Sequence, residues 1–327
     1  MKIKEAVSNI KQGNVKNYYL IAGSEDFLRE LALKSILSNL NIQMEELNVS
    51  VIRDSSNIQS NLESLPMMSD LRAVIAYLNE FSEQDIKRME ACLPGMSPST
   101  VLILIKPSAF DKRKSLESFV LKNGAVIDCG EPAESETVDF LCAHAAKSGL
   151  KMARNDAHMF FQYVMGDLNH LVKELDKLIL VCSDTVTKKE IQKYTVKSSE
   201  YNIFQLHDLF LQKNRERAKN LLAEILDEDS NPIGLITILS TNFELMLIAR
   251  ACMDAGYRED MIRKNILDNA KVADFRAKKA IEQCRYMDAP SIRNAIQKIA
   301  KLDFDAKQGN VILKNDLYAL LCGIYGI

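Results

Sequence analysis

Several residue types and patterns are scarce in this sequence, and each scarcity excludes a class. Glycine and proline number only 12 and 7 in 327 residues. That argues against collagen-like and low-complexity chains. Neither sign of charge dominates, since 42 Lys and Arg against 44 Asp and Glu leave a formal charge of −2. Bulk positive charge for coating nucleic acid is therefore missing, although a local basic face remains compatible with the composition. The seven cysteines (Cys92, Cys129, Cys142, Cys182, Cys252, Cys284 and Cys322) never form C-x-x-C. This argues against a zinc ribbon or a thioredoxin motif and reads as reduced core thiols. The four histidines, His144, His158, His170 and His207, are spread across helical segments and none neighbours another at metal-ligand spacing. They read as surface or satisfied core residues, so no metal is expected. G-x-S-x-G, H-E-x-x-H and G-x-G-x-x-G are all missing, and no enzyme active site can be named. Met1 to Val15 holds no apolar run of the signal-peptide kind, and runs such as 101–105 and 235–239 fall far short of a membrane span. The expectation is a cytoplasmic protein without a membrane partner.

What is present is an ordinary globular composition, 47% apolar and 26% charged. At roughly 100–200 residues per domain the length predicts two or three domains with real cores. Short apolar runs over 18–22, 49–52, 73–78, 100–105 and 125–128 read as strands, each bounded by polar or turn residues. Between them, Leu33, Ile36, Leu37 and Leu40 share one helical face, and 84–93 and 112–122 also read as helices. Alternating strands and helices predict βαβ units and a covered, mostly parallel sheet. After Gly130 the pattern changes. A polar linker over 131–135 precedes helical segments over 137–148, 156–165, 168–181 and 188–194. A polar break at 197–200 leads into a block that is helical throughout. There Asn231-Pro232 reads as cap and first residue of a helix that is apolar nearly all round. The predicted organisation is an α/β domain over 1–134, a small helical domain over 135–199 and a larger helical domain over 200–327. An α/β domain followed by two all-α domains is the order of clamp-loader-type AAA+ proteins.

The first strand-to-helix turn is where a phosphate would bind in such a domain. Here the strand runs into Gly23-Ser24-Glu25-Asp26-Phe27-Leu28-Arg29-Glu30, with no Lys-Ser or Lys-Thr and with two acids at the helix start. Acids there suit the helix dipole and repel an anionic phosphate. Ala76-Tyr77-Leu78-Asn79-Glu80 weakly resembles a Walker B strand, with Asn79 where the metal-binding Asp would stand. No nucleotide cofactor is expected.

Five segments, in order, resemble the delta subunit family of the bacterial DNA polymerase III clamp loader. Tyr18-Tyr19-Leu20-Ile21-Ala22-Gly23-Ser24-Glu25-Asp26-Phe27-Leu28 is similar to the family's apolar strand followed by GxExFL. Leu65-Pro66-Met67-Met68-Ser69-Asp70-Leu71-Arg72, running into 73–75, resembles LPFFxxxR and its strand, with Met-Met replacing the usual bulky pair. Gly166-Asp167-Leu168 with Glu174-Leu175-Asp176-Lys177-Leu178 resembles the middle-domain pattern. Residues 200–208 look like the start of the third domain, and Asp303-Phe304-Asp305-Ala306-Lys307-Gln308-Gly309 looks like the C-terminal DxxxKxG. The four-cysteine zinc module and the Ser-Arg-Cys motif of the ATPase and delta-prime relatives are missing.

The resemblance implies a mechanical role without ATP hydrolysis in this chain. A delta subunit binds the beta sliding clamp and springs one ring interface open. Its ATPase partners, of the gamma/tau type, and delta-prime complete the loader that places clamps on primed DNA. The gripping residues would be Leu65, Pro66, Met67 and Met68. Two adjacent large apolar side chains cannot both face one core, and Met suits an irregular partner pocket. Read without the resemblance, the pair is core, or simply tolerated, ahead of a buried strand. Arg276, Lys278, Lys279 and Arg285 form a candidate phosphate-contacting segment, diluted by Asp274 and Glu282, and a solvated helix face is the plainer reading. Two other classes remain: a degenerate P-loop ATPase, and a generic helical adaptor unrelated to replication.

Overall fold

Every residue from Thr100 to Lys106 is buried, as expected of a parallel strand covered on both faces. In the computed structural model, which describes residues 3–53, 55–228, 232–270, 272, 274–309 and 313–326, this strand is the centre of a five-stranded sheet. The strands are β1 (Tyr18–Ala22), β2 (Val49–Ile52), β3 (Arg72–Tyr77), β4 (Thr100–Lys106) and β5 (Ala125–Asp128). Their spatial order is β2-β3-β4-β1-β5 and all pairings are parallel, with Tyr18 opposite Leu102 and Ala73 opposite Val101. Successive side chains alternate faces. Tyr19, Ile21, Ile75 and Ile103 pack on the side of α1 (Ile3–Lys11) and α2 (Asp26–Asn39). On the opposite face, Leu20, Val74, Leu102 and Leu104 share a second core with Ile58, Met89 and Leu116. Those come from α4 (Ile58–Glu63), α5 (Glu83–Cys92) and α6 (Ser115–Asn123); α3 (Glu45–Asn48) is a single turn before β2. Ser82 and Asp85 close α5 with a reciprocal capping box.

The described residues form two compact units, 1–132 with 167–169, and 133–166 with 170–327. The second unit keeps two separate cores. One is built by α7 (Glu134–Lys147), α8 (Arg154–Val164), α9 (Leu168–Val181) and α10 (Lys188–Tyr194) around Leu141, Phe160, Leu175 and Ile191. It includes two short strands the sequence did not announce, β6 (Lys151–Met152) and β7 (Thr185–Val186), paired in parallel. Helix α7 starts at Glu134 after Ala133, which offers no side-chain cap; Glu134 and Glu136 meet the helix dipole instead.

The other core lies among α11 (Ser199–Leu211), α12 (Arg215–Glu228), α13 (Pro232–Asp254), α14 (Glu259–Ala270), α15 (Asp274–Gln283), α16 (Ala289–Lys307) and α17 (Leu313–Tyr325). The polar break before it is a cap: Ser198 Oγ accepts the Tyr201 N–H at 3.1 Å. Asn231, expected to cap α13, lies outside the described residues. By length and composition alone α13 could cross a membrane, yet Leu235, Ile236, Leu239, Phe243, Leu245, Met246 and Ala249 are all core residues.

His207 of α11 sits inside this core as the satisfied histidine the sequence suggested. Its Nε2 lies 2.7 Å from the Tyr325 hydroxyl and 3.1 Å from the Asn242 side-chain amide nitrogen. The contacts tie α11, α13 and α17 together. Burial pushes the imidazole pKa down from 6.5 to about 3. Because the folded pKa lies below the unfolded one, the unfolded chain takes the proton first as pH falls. The stability this neutral histidine allows is full above about pH 6.5 and falls by about 1.4 kcal/mol per pH unit down to about pH 3. The urea concentration at which the α13 amides lose hydrogen-exchange protection should therefore drop between pH 7 and pH 5 by the equivalent of about 2 kcal/mol. His207→Gln, which keeps an acceptor but does not titrate, should flatten that limb. An equally steep limb in His207→Gln would contradict the assignment.

Candidate functional site

The β1–α2 turn is closed by its own backbone and side chains. Gly23 has φ +150°, and a Cβ there would meet the carbonyl carbon of Cys129 at 2.0 Å, so only glycine fits. The Glu25 N–H donates to the Cys129 carbonyl at 3.0 Å. The Arg29 guanidinium donates to the Gly23 carbonyl and pairs with Asp26. Burial first, and then the carboxylates of Glu131 and Asp167, push the Glu25 carboxyl above its ordinary pKa. Carboxylates gathered at a helix start favour the dipole and oppose an incoming phosphate. A cavity of about 250 Å³ beside the turn is lined by Asp26, Arg29, Glu30, Tyr77 and Asn79, which brings the Walker-B-like Asn79 next to these acids.

The second predicted site is the connection from α4 to β3. Leu65, Met67 and Met68 are 73%, 58% and 77% exposed, while Pro66 is half-buried. So neither methionine is core. The segment is irregular rather than helical, and Met68 has φ 51°, a left-handed conformation that L residues with side chains seldom adopt. Arg72, at the arginine position of the LPFFxxxR-like motif, opens β3 and is buried; its Nη2 donates to Ser50 Oγ of β2 at 2.9 Å, and burial lowers its pKa. Next to this loop, Met44 and Leu47 also expose about half of their surfaces. The sequence pattern gave no sign of them, because they fall at the start of and within a one-turn helix, too short for a readable period.

The third predicted group is a set of ion pairs. Arg276 pairs with Glu200, Lys278 with Glu134 at 3.4 Å and Asp274 at 3.2 Å, Lys279 with Asp208 at 3.3 Å and Glu282 at 3.4 Å, and Arg285 with Glu259 at 2.6 Å. Each cation thus faces at least one carboxylate, which offsets locally the charge a phosphate backbone would need.

A parallel five-stranded sheet with helices on both faces, continued by helical cores, defines a RecA-like α/β fold with a mostly helical remainder. The family model "DNA polymerase III, delta subunit" matches residues 19–130, and that for the "DNA polymerase III delta subunit, C-terminal domain" matches 200–321. The DNA polymerase III subunit delta of Bacillus subtilis is 25% identical over 318 residues, covering 92% of this chain and 90% of that protein. The solved Bacillus subtilis DNA clamp loader delta protein shares the fold, with a TM-score of 0.75 at 23% identity, over 99% of this chain and all of that one. The chain belongs to the DNA polymerase III delta-subunit family.

Proposed function

We propose that this chain is the clamp-opening member of a clamp loader. It grips the beta sliding clamp through Leu65, Pro66, Met67 and Met68, and assembles with gamma/tau-type ATPase and delta-prime subunits in the cytoplasm. The observation that carries the reading is the exposed, irregular loop at these four residues. Flexible, polarizable Met side chains held out from a folded unit are suited to an apolar pocket on a partner. The acid-lined β1–α2 turn supports a chain that binds no nucleotide itself and takes its timing from ATPase neighbours. The helical unit ending in α17 would supply the assembly surface. Any contact with primed DNA would be sequence-independent and would compete with the ion pairs of Arg276, Lys278, Lys279 and Arg285.

The test is clamp release. Closed clamps are loaded on nicked circular DNA, and the purified chain is added without nucleotide. Release at a rate that rises with protein concentration is expected. Clamps that stay on the circle, or tight magnesium-dependent binding of a labelled ATP analogue by the chain alone, would overturn the proposal.

A further inference from the structure

Asn48 is 1% exposed, and its amide bonds both its own turn over 43–48 and the 64–71 loop. Its Nδ2 donates to the Met67 carbonyl at 2.8 Å and to the Gln43 carbonyl at 2.7 Å, with the Met44 carbonyl at 3.4 Å. Its Oδ1 accepts the Met67 N–H at 2.8 Å. Both backbone polar groups of Met67 are thus satisfied by one side chain 19 residues earlier, as a neighbouring strand would satisfy them. A second tie runs the same way: Ser69 Oγ accepts the Gln43 N–H at 3.1 Å and donates to the Leu71 carbonyl at 2.9 Å. The turn over 43–48 and the loop over 64–71 are stitched at two points. Met44 and Met68, one on each side of the stitch, both hold left-handed backbone at φ 49° and 51°. Such conformations persist where the surroundings over-determine them.

We infer that Asn48 is a positioning residue for the clamp anchor; this rests on the clamp-gripping reading of Met67 and Met68. A buried amide that fixes Met67 N–H and C=O leaves the side chains of Met67 and Met68 free in solvent but their backbone already in place. The ordering cost of binding is then met before the partner arrives. Without the amide the loop samples other conformations, and the same two side chains bind as a flexible segment.

The experiment is a double-mutant cycle on the full chain, read by surface binding to immobilised beta clamp, with a thermal melt alongside. Asn48→Ala should weaken clamp binding roughly tenfold in a protein that still melts cooperatively. In the Met67→Ala/Met68→Ala background the same change should cost no further affinity, since the anchor it positions is gone. A purely structural asparagine would lower the melt and leave clamp affinity alone, or weaken binding equally in both backgrounds. Either result overturns the inference while leaving the clamp-gripping reading intact. Unchanged clamp affinity in folded Met67→Ala/Met68→Ala would remove that reading and the role of Asn48 with it. Should Asn48→Ala fail to fold, Ser69→Ala, at a half-buried position, carries the same cycle, with a smaller loss of about threefold expected in the Met background alone.

Discussion

Replacing both loop methionines, Met67→Ala/Met68→Ala, is expected to weaken binding to immobilised sliding clamp by about 30-fold or more while the protein melts near the unchanged temperature. Interface anchors are few and apolar, and truncating a central one costs about 2–4 kcal/mol. At 1.4 kcal/mol per decade, losing this pair gives at least the stated factor. The expected melt follows from exposure. Core Met→Ala changes cost about 2–5 kcal/mol of fold stability, whereas exposed sites away from special features stay within about 0.5 kcal/mol. At 58% and 77% exposure, both side chains belong to the second class. Their backbone is held by Asn48 and by loop geometry, neither of which needs the thioethers. A lowered melt with matching loss of binding would return the pair to the core. Full affinity in a folded double variant would leave these residues without a partner role.

The strands were legible because they are covered on both faces. Runs over 100–105 and 73–78 were readable as continuous apolar segments, and the strands found are Thr100–Lys106 and Arg72–Tyr77. Lys106 escaped because a lysine at the end of an apolar run looks like its polar boundary, while here it is buried. The third block was readable only as helical: its apolar residues point in too many directions for a period to mark where α11 gives way to α12 or α14 to α15. The two-residue strands β6 and β7 are too short to leave any alternation. At the candidate site the adjacent methionines stood out, and adjacency alone argued that both could not face one core; that both are exposed was not legible, because Met-Met ahead of a buried strand also reads as core. Asn48 was invisible, since a single Asn before a strand is an ordinary turn residue until Met67 is folded against it. The ion pairing of the basic segment was equally illegible. Arg276 and Lys278 meet carboxylates 76 and 144 residues away, distances at which sequence gives no hint of pairing.

Lys106→Met should be the most damaging single change in the α/β unit outside the apolar core, lowering its stability by about 3–5 kcal/mol. Lys106 Nζ lies 2.6 Å from Glu117 Oε1 with side-chain exposures of 7% and 3%. The other Glu117 oxygen accepts the Asp111 N–H at 2.6 Å and so fixes the segment leading into α6. The Lys106 carbonyl, in turn, receives the Gly23 N–H at 3.3 Å, which links the pair's strand to the β1–α2 turn. Removing the ammonium leaves a carboxylate dry and uncompensated, which is the costly case for a buried pair. Lys106→Met/Glu117→Gln removes both charges and keeps an acceptor for the Asp111 N–H, so it should recover most of the loss. Because the chain holds several cores, the readout has to be local. Hydrogen exchange of the β4 amides against urea reports this sheet alone. The single variant should lose protection at a lower urea concentration than the unchanged chain, and the double variant should regain it. A double variant as weak as the single one would show that the loss does not come from leaving the Glu117 charge uncompensated.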